Sequence, residues 1–149
     1  MRTVSDILEN KAPAFNTISP DAKVIEALQM MNSVNLSYLI VMKDNTFSGI
    51  FSERDYSRNV ILKGLHSDSC PVSDVMSTSL PMVNLDESVE KCMQLLNSHK
   101  TRYLLVFDNK GFKGVVTIND VLREAIANKE SVFDEVALRE TAEMQDHVF

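Results

Sequence analysis

The sequence predicts an α+β chain built from two tandem copies of one unit, each running about β-α-β-β-α. Three observations carry this. Ile18–Arg58 superposes without a gap on Val83–Arg123. Within each copy the apolar spacing changes from a helical to a strand-like period and back. A short stretch, "VSDIL" at Val4, recurs as "VSDVM" at Val72, one ahead of each copy. Identical pairs in the superposition include Asp21/Asp86, Gln29/Gln94, Asn32/Asn97, Tyr38/Tyr103, Leu39/Leu104, Gly49/Gly114, Asp55/Asp120 and Arg58/Arg123. The division that follows is 1–68 for the first repeat, 69–128 for the second and 129–149 for a C-terminal helical tail.

Each element has a local reason. "VSDIL" and "VSDVM" open their repeats as a short turn of helix, and the extended pieces "AFNTIS" and "PMVNL" follow. Asp21 and Asp86 then stand where a cap precedes an apolar-periodic helix. Val24, Ala27, Leu28, Met31 and Val34 keep helical spacing in the first copy, and Val89, Cys92, Met93 and Leu96 in the second. "YLIVM" and "YLLVF" are rich in strand formers, and the polar runs "KDNT" and "DNKG" turn each into a second strand, "GIFS" or "GVVT". A second helix begins at the hydroxyl residue and continues through "ERDYSRNVIL" or "INDVLREAI". A unit of about 60 residues buries too little surface to be secure alone, so the two are expected to cover each other's apolar faces.

Composition limits the function. With 149 residues, a net charge of -6 and a pI near 5.0, the chain does not suit general nucleic-acid binding, which relies on neutralising phosphates. Its N-terminus lacks the apolar region of a secretory signal, and "YLIVM" is far too short to span a membrane. Cys70 and Cys92 make no disulfide framework and are expected as reduced thiols in a cytoplasmic protein. His66, His99 and His147 stand apart without metal-ligand spacing, so no metal is expected, and the methionines of the helix faces read as core. No nucleophile–base set and no phosphate-binding glycine loop is present, which argues against an enzyme.

The stretches that carry chemistry are "GIFSERD" and "GVVTIND". Ser52 and Thr117, each with an Asp three residues on, fit a capping box. The same carboxylates, Asp55 and Asp120, also suit the two hydroxyl donors of a ribose diol. Both readings stand on the sequence, and they are compatible.

A small-sheet strand leading into Gly-apolar-apolar-[Ser/Thr]-x-x-Asp, present twice at matching places, resembles the tandem CBS-domain or Bateman module of the stand-alone bacterial type. The resemblance covers about Val4 to Ala127. It implies two repeats packed sheet to sheet with pseudo-twofold symmetry, and two clefts that take an adenosine-containing ligand such as AMP, ATP, NAD(H) or S-adenosylmethionine. It assigns ribose to Asp55 and Asp120, with Ser52 and Thr117 beside them. It puts the adenine slot at Thr17, Ile18, Tyr38 and Leu39, and at Met82, Val83, Tyr103 and Leu104. For these apolar residues, ordinary core is the competing reading. Arg54 is the candidate phosphate cation of the first copy. Asn119 takes its place in the second, where His99, Lys100 and Arg102 are the candidates instead, so the clefts are expected to be unequal, the first better equipped for phosphate. The family further implies a homodimer and a regulatory role on an enzyme or transporter. The alternative is a dimeric scaffold with vestigial clefts. Val132, Phe133, Val136 and Ala137 give the tail an apolar stripe that would suit a partner.

Overall fold

The computed structural model describes residues 2–11 and 16–128. The stripe expected at 132–137 lies outside them. The elements run α1 (Val4–Glu9), β1 (Thr17–Ile18), α2 (Val24–Val34), β2 (Tyr38–Lys43), β3 (Thr46–Ser52) and α3 (Glu53–Asp55), which continues as a π-helical turn over Tyr56–Ile61. A 3-10 turn at Val72–Asp74 precedes β4 (Met82–Val83), α4 (Val89–Ser98), β5 (Tyr103–Asp108), β6 (Gly111–Thr117) and α5 (Ile118–Asn128). This is the expected α+β order, given twice.

Each repeat holds a three-stranded mixed sheet, ordered β1-β2-β3 or β4-β5-β6. The first pair is parallel and the second antiparallel in both, and the registers repeat: Tyr38 faces Ser52 as Tyr103 faces Thr117. Each hairpin carries a bulge at the same place, after Val41 and after Val106. The first closes through Asp44 and Asn45, both at positive φ (51° and 64°), the backbone of a tight hairpin turn that Asp and Asn tolerate. Alternation along the strands sends Leu39, Val41 and Phe51 into a core with Val24, Ala27 and Met31 of α2. Leu104, Val106 and Val116 do the same with Val89, Cys92, Met93 and Leu96 of α4.

Three local features depart from the sequence reading. The first helix of each repeat is not capped by Asp21 or Asp86. In α4 the Ser88 hydroxyl accepts from Lys91 N at 3.0 Å, and in α2 Glu26 accepts from Lys23 N at 3.3 Å. Asp21 instead pairs with Lys43 on the surface, at 2.8 Å. The second helix of the first repeat widens into π geometry, with Leu62 N bonded to Ser57 O at 3.0 Å. Asn59 on that turn donates to Val75 O at 3.0 Å, tying it to the chain after Pro71.

The third departure concerns the lead-ins. Each was expected to open its own repeat, and each docks on the other. Val4 N and Ser5 N donate to Glu87 O and Leu85 O (2.9 and 3.0 Å), while Val72 N and Ser73 N donate to Ala22 O and Pro20 O (2.8 and 3.0 Å). In the repeat superposition these are the same bonds. The packing units are therefore 14–79, and 1–13 together with 80–149, considered over their described residues. The repeat boundaries at 68/69 divide the same chain by duplication rather than by packing. Arg2 completes the exchange by an ion pair to the buried Glu124 of α5.

Candidate functional site

In both repeats, one end of the sheet gathers the residues singled out in the sequence. β1 begins there, β2 begins there and β3 ends there. Ile40 N bonds to Asn16 O (3.1 Å) beside Thr17, and Glu53 N bonds to Ser37 O (3.0 Å) beside Tyr38. The second repeat matches bond for bond, with Leu105 N to Pro81 O and Ile118 N to Arg102 O, both at 3.0 Å. Thr17, Tyr38, Ser52 and Asp55 thus share one end, as do Met82, Tyr103, Thr117 and Asp120. The hairpin register and the helix that starts straight from the strand fix this placement.

The adenine-slot candidates divide by the strand alternation. Leu39, Leu104 and Val83 are buried in the two cores, as the competing reading had it. Ile18 is half-buried against the first core. Thr17, Tyr38 and Tyr103 are half-buried at the sheet end, and Met82 is 65% exposed.

The capping box is formed in the first copy. Ser52 N and Ser52 Oγ both donate to Asp55 Oδ2 at 2.9 Å, and Asp55 N donates to Ser52 Oγ at 3.3 Å. In the second, Thr117 N donates to Asp120 Oδ2 at 2.9 Å and Asp120 N to Thr117 Oγ1 at 3.1 Å. Both carboxylates are almost wholly buried, with 5% and 6% of the residue exposed. Burying a carboxylate is costly unless it is hydrogen-bonded or paired, and each is satisfied by more than its cap.

The additional partners differ. Ser77 Oγ donates to Asp55 Oδ1 at 2.6 Å. Ser77 is held in place by two backbone bonds to Ile50 (2.8 and 2.9 Å), which extend the open edge of β3. Gly49 makes this approach possible, because a Cβ there would lie 2.8 Å from Ser77 O. In the second copy a lysine side chain does both jobs. Lys11 Nζ donates to Val115 O, the counterpart of Ile50 O, and to Asp120 Oδ2, each at 2.9 Å. Arg123 adds a longer contact to Asp120 Oδ1 at 3.5 Å from a side chain that is 71% exposed.

Sequence reasoning missed Lys11 and Ser77. Both lie after the lead-ins, beyond the gapless part of the repeat, and matching "VSDIL" to "VSDVM" pairs Lys11 with Ser79 rather than Ser77. Lys11 and Arg123 both reach Asp120. His99 and Lys100 sit exposed at the end of α4, and Arg102 is half-buried beside the site with its carbonyl bonded to Ile118. Arg54 is half-buried one residue before Asp55. The two carboxylates have different partners. The sequence reading rested on Arg54 against Asn119; the structure adds another difference, a neutral hydroxyl of Ser77 at the first carboxylate and the cations Lys11 and Arg123 at the second.

Among the described residues no cluster of His, Cys, Asp and Glu could hold a metal ion, and no helix is long and apolar enough to cross a membrane. Cys70 and Cys92 are buried free thiols. Burial pushes the Cys92 thiol up to about 12, with the charge of Glu87 adding to it.

Comparison with known proteins gives a consistent result. The family model for the CBS domain matches residues 4–61 and 72–127. The mitochondrial CBS domain-containing protein CBSX3 of Arabidopsis thaliana is 30% identical over 133 residues, which cover 83% of this chain and 65% of that protein. The chain thus spans just under two thirds of that relative. Among solved structures, a protein with CBS domains from Burkholderia ambifaria superposes with a TM-score of 0.80 at 28% identity, covering 90% of this chain and 99% of the other. CBSX2, solved in complex with AMP, superposes with a TM-score of 0.69 at 29% identity, covering 86% and 98%.

Proposed function

The chain belongs to the CBS-domain family, and from that premise we propose that it is a non-catalytic regulatory module that binds an adenosine-containing nucleotide at the Asp55 and Asp120 ends of its two sheets. One observation carries the reading: a buried carboxylate, a helix start and the beginnings of two strands meet at the same place in both repeats. A ribose diol offers two donors to such a carboxylate, and strand ends offer backbone groups to a base. Thr17, Ile18 and Tyr38 in the first copy, and Met82, Arg102 and Tyr103 in the second, border the position a base would take. Leu39, Val83 and Leu104 support it from the core. Arg54 is assigned to phosphate in the first copy. AMP in the CBSX2 structure supports the ligand class, with ATP and NAD(H) as the other members to test. Such a module would report energy or redox state to an enzyme or transporter, as a homodimer in a reducing compartment such as the cytoplasm.

Calorimetric titration with AMP, ATP, NADH and S-adenosylmethionine checks this. At least one should bind, and Asp55→Ala and Asp120→Ala should each weaken it by about 1–3 kcal/mol through loss of hydrogen bonds to a charged acceptor. Absence of binding by all four at millimolar concentration rules the reading out. A second reading, an interaction protein, is favoured by Ile61, Leu62 and Leu65, which stand exposed after the π turn at 54%, 78% and 43%. Partner capture that is indifferent to nucleotide distinguishes it.

A further inference from the structure

We propose that Lys11 makes the Asp120 end selective for a phosphorylated ligand over its uncharged nucleoside, supplying there a cation that Asn119 cannot. The inference rests on the nucleotide reading above and deepens it.

The two carboxylates differ in the donors that reach them. The donors that Ser52 and Ser77 give Asp55 are neutral, two hydroxyls and a backbone N–H. Asp120 has an ammonium at 2.9 Å and a guanidinium at 3.5 Å. Lys11 and Arg123 thus bring two positive charges to the second carboxylate, where Ser52 and Ser77 bring none to the first. Lys11 is 28% exposed, so it is shielded from solvent more than an ordinary surface lysine. An ammonium has three donors. Val115 O and Asp120 Oδ2 take two, and the third remains for a ligand oxygen.

Position also distinguishes the two. Ser77 reaches Asp55 from backbone that is itself paired with Ile50, so it cannot follow a ligand. Lys11 reaches Asp120 with the end of a long side chain and can shift toward a phosphate while its charge stays beside the carboxylate. A nucleoside gains nothing from this cation. The contact of the ribose with Asp120, whose Oδ2 is bonded to Thr117 N and Lys11, is common to AMP and adenosine and leaves the preference to the phosphate.

The test is an NMR titration of the full chain with AMP and with adenosine, reading the amides of Val115 and Thr117 for the second end and of Ile50 and Ser52 for the first. The ratio of the two affinities is the measured quantity, because any loss of folded protein cancels in it. In the wild type the second end should bind AMP more tightly than adenosine. Lys11→Met should reduce that preference there by about tenfold, as expected for one lost charge-assisted hydrogen bond. Lys11→Arg should retain most of it, and the preference at the first end should stay as it was. An unchanged ratio at the second end in Lys11→Met overturns the proposal and leaves nucleotide binding intact. Equal tightening of AMP and adenosine also overturns it, since Lys11 would then be a plug rather than a selector. If neither molecule moves any of these amides in the wild type, the nucleotide reading fails and this proposal with it.

Discussion

Gly49→Ala should destabilise the first repeat and loosen Asp55 through a single methyl group. The new Cβ would stand 2.8 Å from Ser77 O, 3.0 Å from Met76 Sδ and 3.2 Å from Met76 Cγ. The methionine can turn away at little cost, being unbranched and flexible. The carbonyl cannot, because Ile50 N holds it at 2.9 Å and Ile50 O holds the amide of the same residue at 2.8 Å. Relief requires the chain at Ser77 to move off the edge of β3, which also draws Ser77 Oγ from its 2.6 Å bond to Asp55. Overpacking of this kind costs about 1–3 kcal/mol, and a lost hydrogen bond to a buried charged group places the result toward the upper end. Urea denaturation followed by far-UV circular dichroism should show a midpoint lower by about 1 M, given a slope of about 1–3 kcal/mol per M. Hydrogen exchange should accelerate at the Ile50 amide, while the Val115 amide in the other repeat keeps its rate. An unshifted midpoint together with unchanged protection at Ile50 would refute the view that Gly49 is required for the Ser77 contact.

Two further outcomes follow from single groups. Ser88→Ala removes the side-chain cap of α4, whose acceptor lies 3.0 Å from Lys91 N, and should lower stability by about 0.5–2 kcal/mol; an unchanged thermal midpoint contradicts that role. Cys92 keeps its proton in the folded state until pH nears about 12, whereas its ordinary value is 9.0. The folded state therefore holds the extra proton, and stability is intact below pH 9.0 and declines as pH rises from there, by about 1.4 kcal/mol per pH unit. Urea midpoints at about pH 8 and about pH 10 should fall less in Cys92→Ala than in the wild type; equal falls show that another group sets the slope.

The repeat made much of the fold legible. Side-chain period and turn chemistry are local, so Tyr38–Lys43 with Thr46–Ser52, and their counterparts, could be read as hairpins from Val41, Val106 and the polar residues between the strands. Ser52-x-x-Asp55 and Thr117-x-x-Asp120 were legible as caps for the same reason, since a capping box needs only backbone and side chains three residues apart. Helix starts were less so. Asp21 looked like a cap because it precedes the apolar run, but Pro20 O and Ala22 O are used by the incoming Val72–Ser73 segment, and α2 begins only at Val24. Leu39 and Leu104 could not be divided between core and cleft until the strand faces were known.

By itself, the sequence determined the duplicated α+β unit, its order of elements and the pair of carboxylates at its two helix starts, because these depend on contacts within a few residues. The tertiary structure alone decided who serves those carboxylates. "VSDIL" and "VSDVM" are nearly the same, so either repeat can accept either lead-in, and the choice depends on how the chain between them runs rather than on any local preference. That exchange brings Ser77 to Asp55 and Lys11 to Asp120, across 22 and 109 residues of sequence. It puts a neutral hydroxyl on one carboxylate and an ammonium on the other, an inequality that no pairing of matched residues along the repeat contains.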